Sequence, residues 1–141
     1  MWQLLESIKQ QLLSLLEETK TMPPTKIEQW AAAITKVEGY YPGSRAYRNN
    51  NPGNLRWSPF QAGTKGGFSY FLTYDKGWKA LLHQLTIAAN GKSKVYKPTD
   101  TLYVFFEKYA PSADKNNPKE YAETVAKQLA ISPQTMIKDL A

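Results

Sequence analysis

The sequence predicts a mainly helical (α+β) domain that follows a separate N-terminal amphipathic helix. Several segments repeat apolar residues at steps of three and four, and most of them start at a capping residue. One long stretch rich in Pro, Gly and Asn interrupts them. With 141 residues the chain is long enough for one domain with a buried core. We expect the amphipathic helix over 1–22 and the domain over 23–141.

The first segment, residues 2–18, predicts one amphipathic helix. Alternating steps of three and four place on one apolar stripe the residues Leu5, Ile8, Leu12 and Leu15. Pro23 and Pro24 end the helix because proline lacks an amide donor. The stripe is expected to pack on the domain or on a copy of the chain, or else to dock the protein to a larger assembly. Self-association or docking is expected to use residues 2–16.

A second helix is predicted between Thr25 and Gly39. The Thr25 hydroxyl can cap the first turn, with Glu28 as the partner in a capping box. Glycine at position 39 suits the left-handed conformation that often ends a helix. The face predicted to be buried contains Ile27, Trp30, Ile34 and Val37.

Residues 40–67 predict a long irregular loop. A loop of this length inside a compact domain is usually functional. Its end overlaps residues 66–74 (GGFSYFLTY), whose alternating aromatic side chains predict a short strand or a hairpin.

Two helices are predicted after the loop. Residues 75–90 carry regularly spaced apolar residues behind Asp75, which is a plausible N-cap. Residues 99–109 predict a shorter helix, capped by Thr99 or Thr101.

Proline marks the starts of the last two predicted helices. The pair Asn117-Pro118 opens a helix over 117–129, because proline suits the first helical position. The pair Ser132-Pro133 predicts, in the same way, a final helix over 133–140.

Composition excludes most kinds of chemistry. The absence of cysteine excludes disulfides, a thiol nucleophile and a cysteine-ligated metal. The single histidine, His83, excludes a multi-histidine metal site, and its place on an apolar helix face favours a structural role. We therefore expect neither a metal nor a cofactor, and the chemistry that remains is that of carboxyl groups.

The charge predicts an anionic partner. The chain carries 18 Lys+Arg against 12 Asp+Glu, and residues 23–141, with 16 basic and 9 acidic residues, carry +7. The basic residues are scattered and the arginines lie in one loop, so no basic recognition helix for nucleic acid is present. No apolar run approaches the roughly 18 residues of a membrane span. Nucleic acid and membrane insertion are therefore not expected.

Glu38 is the most suggestive single residue. It closes the second predicted helix beside the long loop. The negative end of the helix dipole and partial burial raise the pKa of such a carboxyl. A glutamic acid that stays protonated near neutral pH is the general acid that glycosidic cleavage needs. The alternative is an ordinary exposed glutamate.

The loop segment RNNNPGNLR is rich in amide side chains. It starts at Arg48, and its asparagines are Asn49, Asn50, Asn51 and Asn54. Asparagine both donates and accepts hydrogen bonds, so it is well suited to bind hydroxyl and acetamido groups. The flanking arginines can meet a carboxylate or a phosphate. The alternative is a solvated turn, where Asn, Pro and Gly are common.

Together these motifs resemble the lysozyme-like superfamily. Three runs carry this resemblance, namely VEGYYPGSRAYRNNNPGNLR, GGFSYFLTYDKGWKALLHQL and NNPKEYAETVAKQL. They are most similar to the soluble lytic transglycosylase and goose-type lysozyme branch of phage and bacterial cell-wall hydrolases. The resemblance covers about residues 25–140. It implies that Glu38-Gly39 is the catalytic glutamate with its following small residue, and that the loop or hairpin forms one wall of a cleft. It also implies that Tyr121 approaches the catalytic glutamate.

The resemblance implies cleavage of the β-1,4 bond between N-acetylmuramic acid and N-acetylglucosamine in peptidoglycan strands. Glu38 would protonate the leaving oxygen. A hydrolase uses a second carboxylate, for which Asp75 and Asp114 are candidates, whereas a transglycosylase needs none. Because no second carboxylate stands out, the single-glutamate mechanism is slightly favoured. The alternative function is an inactive glycan-binding, virion or cell-wall structural module.

Aromatic side chains are candidates for sugar-stacking walls, because the C–H faces of sugars pack on rings. Tyr70 and Tyr74 are the candidates in the strand region, and further ones are Tyr40, Tyr41, Tyr47 and Tyr109. The phenylalanines are assigned to the core, namely Phe68, Phe71, Phe105 and Phe106. The substrate lies in the bacterial cell wall, but no export signal is visible, so delivery by a phage or another carrier is one expectation.

Overall fold

Six α-helices and one two-stranded sheet make up the part of the chain that the computed structural model describes, which is residues 1–110 and 116–141 apart from the side chains of residues 18–21. The mainly helical class is confirmed. In chain order the elements are α1 (Trp2–Thr21), α2 (Lys26–Glu38), α3 (Arg45–Arg48), β1 (Gly63–Lys65), β2 (Phe68–Tyr70), α4 (Tyr74–Ala89), α5 (Leu102–Tyr109) and α6 (Pro118–Leu129).

The core lies where α2, α4, α5 and α6 meet. Helix α2 packs against α4 and α6, and α5 packs against α6. Trp30 of α2 meets Phe105 of α5 edge to face, with 4.8 Å between ring centroids. Phe105 in turn contacts Tyr96 and Phe106 at centroid distances of 4.5 and 4.8 Å. Burying this aromatic group contributes hydrophobic stabilisation where α2 meets α5.

Local signals set both ends of α2 as predicted. The Thr25 hydroxyl accepts from the Glu28 amide, and the Glu28 carboxylate accepts from the Thr25 amide, which completes the capping box. At the other end Gly39 has a φ of 72°, in the left-handed region. The helix therefore stops directly after Glu38, and its last side chain lies beside the loop.

Three predicted helix boundaries change in the structure. Helix α4 is capped by Thr73, whose hydroxyl accepts from the Lys76 amide, so the prediction of Asp75 as N-cap is wrong. Thr101 rather than Thr99 caps α5. The final helix predicted over 133–140 is only a 3₁₀ turn, Ile137–Leu140, because the backbone before it pairs with the start of α5: the Thr135 carbonyl accepts from the Leu102 amide, and the Ile137 amide donates to the Asp100 carbonyl.

The start of α6 follows the sequence signal. Asn117 accepts from the Glu120 amide, and Pro118 occupies the first turn.

The irregular loop contains more structure than predicted. It includes the single-turn helix α3 and also β1, which pairs with β2 in antiparallel register, Lys65 opposite Phe68. The predicted strand region thus supplies only the second half of the hairpin. Gly66 and Gly67, at φ 59° and 84°, form its two-residue turn, because both central positions of such a turn need positive φ.

The loop packs closely against α4. A Cβ on Gly77 would come within 1.8 Å of the Asn50 carbonyl oxygen, so only glycine lets the loop backbone lie this close. A Cβ on Gly53 would come within 2.7 Å of Leu81.

Helix α1 leaves its apolar stripe in solvent. The large apolar side chains of residues 2–16 are all exposed, namely Trp2, Leu4, Leu5, Ile8, Leu12, Leu13, Leu15 and Leu16. The expectation that this stripe packs on the domain is therefore wrong for the described residues. No helix in the described ranges has the length and apolar character needed to cross a membrane.

Candidate active site

Glu38 lies at the junction of two cavities. The larger, of about 550 Å³, is bordered by the loop through Asn54 and by the hairpin through Phe68. The smaller, of about 290 Å³, lies against the start of α6 and includes Glu120 and Tyr121. A ligand that filled both cavities would therefore pass the Glu38 carboxyl.

Two side chains fix the Glu38 carboxyl. The Tyr121 hydroxyl donates to Glu38 Oε1 at 2.8 Å, and Asn54 also forms a side-chain hydrogen bond with the carboxyl. Burial raises the pKa of Glu38, whereas these two hydrogen bonds and the charge of Arg45 oppose the rise. The predicted rise is confirmed in direction, with burial as its main cause.

Aromatic packing behind Glu38 gives this arrangement its rigidity. The Tyr121 ring stacks on Phe106 with centroids 4.3 Å apart. Tyr109 lies beside it, and its hydroxyl donates to the Gly53 carbonyl of the loop. Burial and the nearby Glu38 charge raise the pKa of Tyr109 well above its usual range, so this hydroxyl stays protonated and keeps its bond to the loop.

The hairpin side of the larger cavity is cationic. The Cζ atoms of Arg45 and Arg56 lie 4.2 and 4.5 Å from the centroid of the Phe68 ring. Phe68 is half-buried and borders the cavity, so its assignment to the core is wrong.

Lys108 also borders the larger cavity. Its ammonium pairs with Asp100 at 2.8 Å, which offsets its charge locally. Although burial alone would raise the pKa of Asp100, the bonds from Lys108 and from the Lys97 amide hold that pKa below its usual value.

The larger cavity continues past an exposed tryptophan. Trp57, 65% exposed, also borders a third cavity of about 300 Å³, together with Gln84 and Tyr96. An aromatic face at such a junction suits the apolar face of a sugar ring.

The four asparagines of the loop divide by role. Asn51 is fully buried, donates to the carbonyls of Leu55 and Ser69, and accepts from the Leu55 amide. Asn50 donates to the Phe71 carbonyl. Asn49 is buried, and its carbonyl accepts from the Phe71 amide.

Asn49, Asn50 and Asn51 thus connect the loop to the hairpin region, and none of them borders either cavity that contains Glu38. Only Asn54 reaches Glu38. Its Oδ1 is buried and has no hydrogen-bond partner among the described residues.

Three other predicted contact residues lie away from Glu38. Arg48 donates to the Gly43 carbonyl, and Tyr70 lies under the Lys65 ammonium at 4.6 Å. Tyr74, which is exposed, belongs to an aromatic group with Tyr40, Tyr47 and Trp78. None of Arg48, Tyr70 and Tyr74 borders either cavity that contains Glu38.

Of the two candidate second carboxylates, the structure describes Asp75. Asp75 is exposed and pairs with Lys79 on its own helix at 2.9 Å, and it borders neither cavity. Asp114 lies outside the described residues. Among the described residues, the acidic side chain that shares a cavity with Glu38 is Glu120, which the sequence analysis missed. His83 is exposed, meets Phe60 edge to face at 4.9 Å, and borders the third cavity rather than either cavity that contains Glu38.

Arg45 and Trp57 were missed as site residues, whereas Arg56 was expected only as one of the two arginines that flank the run of asparagines. The available signal for Trp57 was its position next to Arg56, close after the Pro-Gly-Asn turn. In the described ranges no group of three His, Asp or Glu side chains lies close enough to hold a metal ion.

Comparison with protein-family models, with curated proteins and with solved structures finds no match for this chain. The resemblance to the lysozyme-like superfamily thus rests on the sequence motifs and stays a prediction.

Proposed function

We propose that the protein is an enzyme that cleaves the β-1,4 bond between N-acetylmuramic acid and N-acetylglucosamine in peptidoglycan, with Glu38 as general acid. The observation that carries the proposal is a half-buried carboxyl between two cavities, held by Tyr121 and Asn54. Its raised pKa favours the protonated form that a general acid needs.

The first step would transfer the Glu38 proton to the glycosidic oxygen as the bond from that oxygen to the muramic acid C1 breaks. The carboxylate formed keeps its hydrogen bonds from Tyr121 and Asn54, which stabilise the new charge. Charge-assisted bonds of this kind contribute about 1.5–3 kcal/mol each.

The second step would be transglycosylation. The 6-hydroxyl of the muramic acid attacks its own C1 and gives its proton back to Glu38, which restores the acid. No second carboxylate is required. The hydrolytic route would instead need a carboxylate to hold water, and Glu120 is the side chain in the described cavities that suits this role.

The test is clearing of a peptidoglycan suspension, followed by mass analysis of the released fragments. We expect the chain to release 1,6-anhydro products and Glu38→Gln to release none. Glu123→Gln is the matched control, because Glu123 is an exposed glutamate on α6 that borders neither cavity. Normal clearing of the peptidoglycan suspension by the Glu38→Gln variant would reject the proposal. Reducing-end products would favour hydrolysis, and release of nothing by the unmodified chain would favour a binding-only module.

We also propose that α1 joins two copies of this chain. The eight large apolar side chains of residues 2–16 are all exposed, and packing them against the same stripe of a second copy would remove apolar surface from water on both copies. Because most of the stability of a protein helix comes from packing of its apolar face, a partner on the exposed stripe would stabilise α1. Its polar face carries Glu6 and Glu17 rather than a row of lysines, which disfavours an anionic membrane as partner.

A further inference from the structure

We infer that α1 pairs with α1 of a second copy in the antiparallel direction, so that the two domains lie at opposite ends of the helix pair. The inference rests on the proposal that α1 joins two copies, and it states how they are joined. Because only residues 22–25 connect α1 to α2, the direction of the two helices decides where the two domains lie.

The spacing of the apolar stripe fits two helices that pack along their length. Leu5, Ile8, Leu12 and Leu15 alternate at steps of three and four, which is the repeat of helices that share one seam. Each of the four side chains is at least 44% exposed. The row is also symmetric about position 10. When one helix is reversed, Leu5 lies level with Leu15 of the second copy, and every layer of the seam is filled by two apolar side chains.

The residues beside the seam favour the antiparallel direction over the parallel one. One flank carries Trp2, Lys9 and Leu16, and the other carries Leu4 and Gln11. In an antiparallel pair each flank faces the same flank of the second copy, whereas in a parallel pair the two different flanks face each other. The antiparallel pair therefore brings Trp2 next to Leu16 of the second copy. A parallel pair would instead bring Leu16 next to Gln11.

The contact between Trp2 and Leu16 matters because both side chains lie largely in solvent. They are 73% and 58% exposed, so their mutual burial, which occurs twice in a symmetric pair, removes a large apolar area from water. The antiparallel pair also places Lys9 beside Lys9 of the second copy, but this side chain is exposed and salt screens the repulsion. The dipoles of the two helices oppose each other in this direction, which is favourable.

The charge of the domains favours the same direction. Residues 23–141 carry 16 basic and 9 acidic residues, which gives +7 for each copy. In a parallel pair both domains follow the same end of the helix pair, and their positive charges repel at short range. In an antiparallel pair the starts of the two domains lie apart by the length of α1, which is about 30 Å for 20 residues. This separation exceeds the Debye length of about 8 Å at physiological ionic strength, so the repulsion is screened.

The experiment is disulfide cross-linking of the full chain, which contains no cysteine of its own. Leu5→Cys and Leu15→Cys variants, one of them with a tag that changes its mass, are oxidised separately and as a mixture in which copies exchange. In the antiparallel pair the two copies of position 5 lie about 15 Å apart, which is too far for a disulfide, whereas positions 5 and 15 lie level. We expect about tenfold more linked dimer in the mixture than in either variant alone.

Gln10→Cys is the matched control, because Gln10 lies at the centre of the row but on the polar face of α1. Its linkage measures random oxidation. Efficient linkage of Leu5→Cys alone and of Leu15→Cys alone would indicate a parallel pair and overturn the inference. Linkage of the mixture at no more than the level of Gln10→Cys would also overturn it.

Small-angle X-ray scattering of the unmodified chain is a second measurement, which decides the question even if a cysteine variant does not associate. We expect a particle with two lobes, separated by at least the length of α1, about 30 Å. Two domains in direct contact would overturn the inference.

The outcomes separate this inference from the proposals in the preceding subsection. A monomeric unmodified chain rejects both the joining of two copies and the direction of their helices. Linkage of each variant to itself keeps the joining and rejects the antiparallel direction. None of these measurements depends on fragment release, so the enzymatic proposal stands or falls by its own test.

Discussion

The Tyr121 hydroxyl donates a hydrogen bond of 2.8 Å to Oε1 of Glu38, although 83 positions separate the two residues. The bond ties the end of α2 to the second turn of α6. Because Tyr121 stacks on Phe106 at 4.3 Å, its hydroxyl reaches the carboxyl from a fixed direction. The bond favours the charged carboxylate and so limits the rise in pKa that burial causes.

Replacement of Tyr121 by phenylalanine should raise the pKa of Glu38 further, because the bond that lowers it is lost and the burial that raises it stays. Activity falls with rising pH as Glu38 loses its proton, so this limb of the pH profile of kcat/KM should move to higher pH. We also expect kcat to fall about tenfold, since the new carboxylate loses a charge-assisted bond worth about 1.5–3 kcal/mol.

The stacked ring is preserved in Tyr121→Phe, so the melting temperature should change little. A limb that stays in place or moves to lower pH would contradict the role assigned to the hydroxyl.

The sequence predicts the Glu38 position well because the signals there are local. A capping box and a glycine at the end set the bounds of α2, and the loop follows directly. The pairing with Tyr121 came from the family resemblance rather than from spacing. No local sequence pattern predicts that α6 passes α2 beside Glu38, because the distance between Tyr121 and Glu38 depends on the packing of the whole core.

Asn54→Gly should reduce activity while leaving the fold intact. Asn54 has a φ of 49°, which glycine adopts without strain, so the substitution removes the side chain alone. Loss of its bond should move the same pH limb upward and lower kcat about threefold to tenfold, with stability changed by about 1 kcal/mol or less. Steady-state rates and thermal melting measure the two effects, and loss of folding would contradict the prediction.

Asn51→Ala should have the opposite pattern. Its fully buried side chain makes three hydrogen bonds to the backbone, and their loss leaves the Leu55 amide and two carbonyls with fewer partners. We expect a loss of about 3 kcal/mol or more in the free energy of unfolding, from several unsatisfied buried groups of about 1–3 kcal/mol each. Urea denaturation measures it, and Asn90→Ala, on an exposed helix end, is the control.

The contrast between Asn51 and Asn54 marks a limit of sequence reasoning. Both lie in one run of amides with the same hydrogen-bonding capacity, but Asn51 bonds to the backbone of Leu55 and Ser69, whereas Asn54 reaches Glu38. Phe68, expected in the core, likewise borders the larger cavity with Arg45 and Arg56. Tertiary pairing, rather than composition, selects the site residues in this loop.

Glu38→Gln should stabilise the protein at neutral pH. The pKa of Glu38 is higher in the folded state than in the unfolded state. The contribution of Glu38 to stability is therefore complete at a pH below its pKa in the unfolded state, and it is lost as the pH rises through its pKa in the folded state. Glutamine stays neutral at every pH and can still accept from Tyr121. The melting temperature of the variant should therefore exceed that of the parent by roughly 2–5 °C at pH 7, and the difference should shrink towards pH 3.5. A gain that is larger at acid pH would reverse the sign and reject the explanation.

The double variant Leu5→Gln/Leu12→Gln tests whether α1 joins two copies. Both leucines are more than half exposed, so their replacement removes no contact within the domain, and the unfolding free energy of the domain should stay within about 0.5 kcal/mol. We expect the unmodified chain to sediment as a self-associated species at micromolar concentration and the double variant to sediment as a monomer. Substitution of the polar-face residues Gln3 and Gln10 by alanine serves as the control, because it leaves the apolar stripe intact. A monomeric unmodified chain would reject self-association, and destabilisation of the domain by the double variant would mean that the stripe packs on the domain after all.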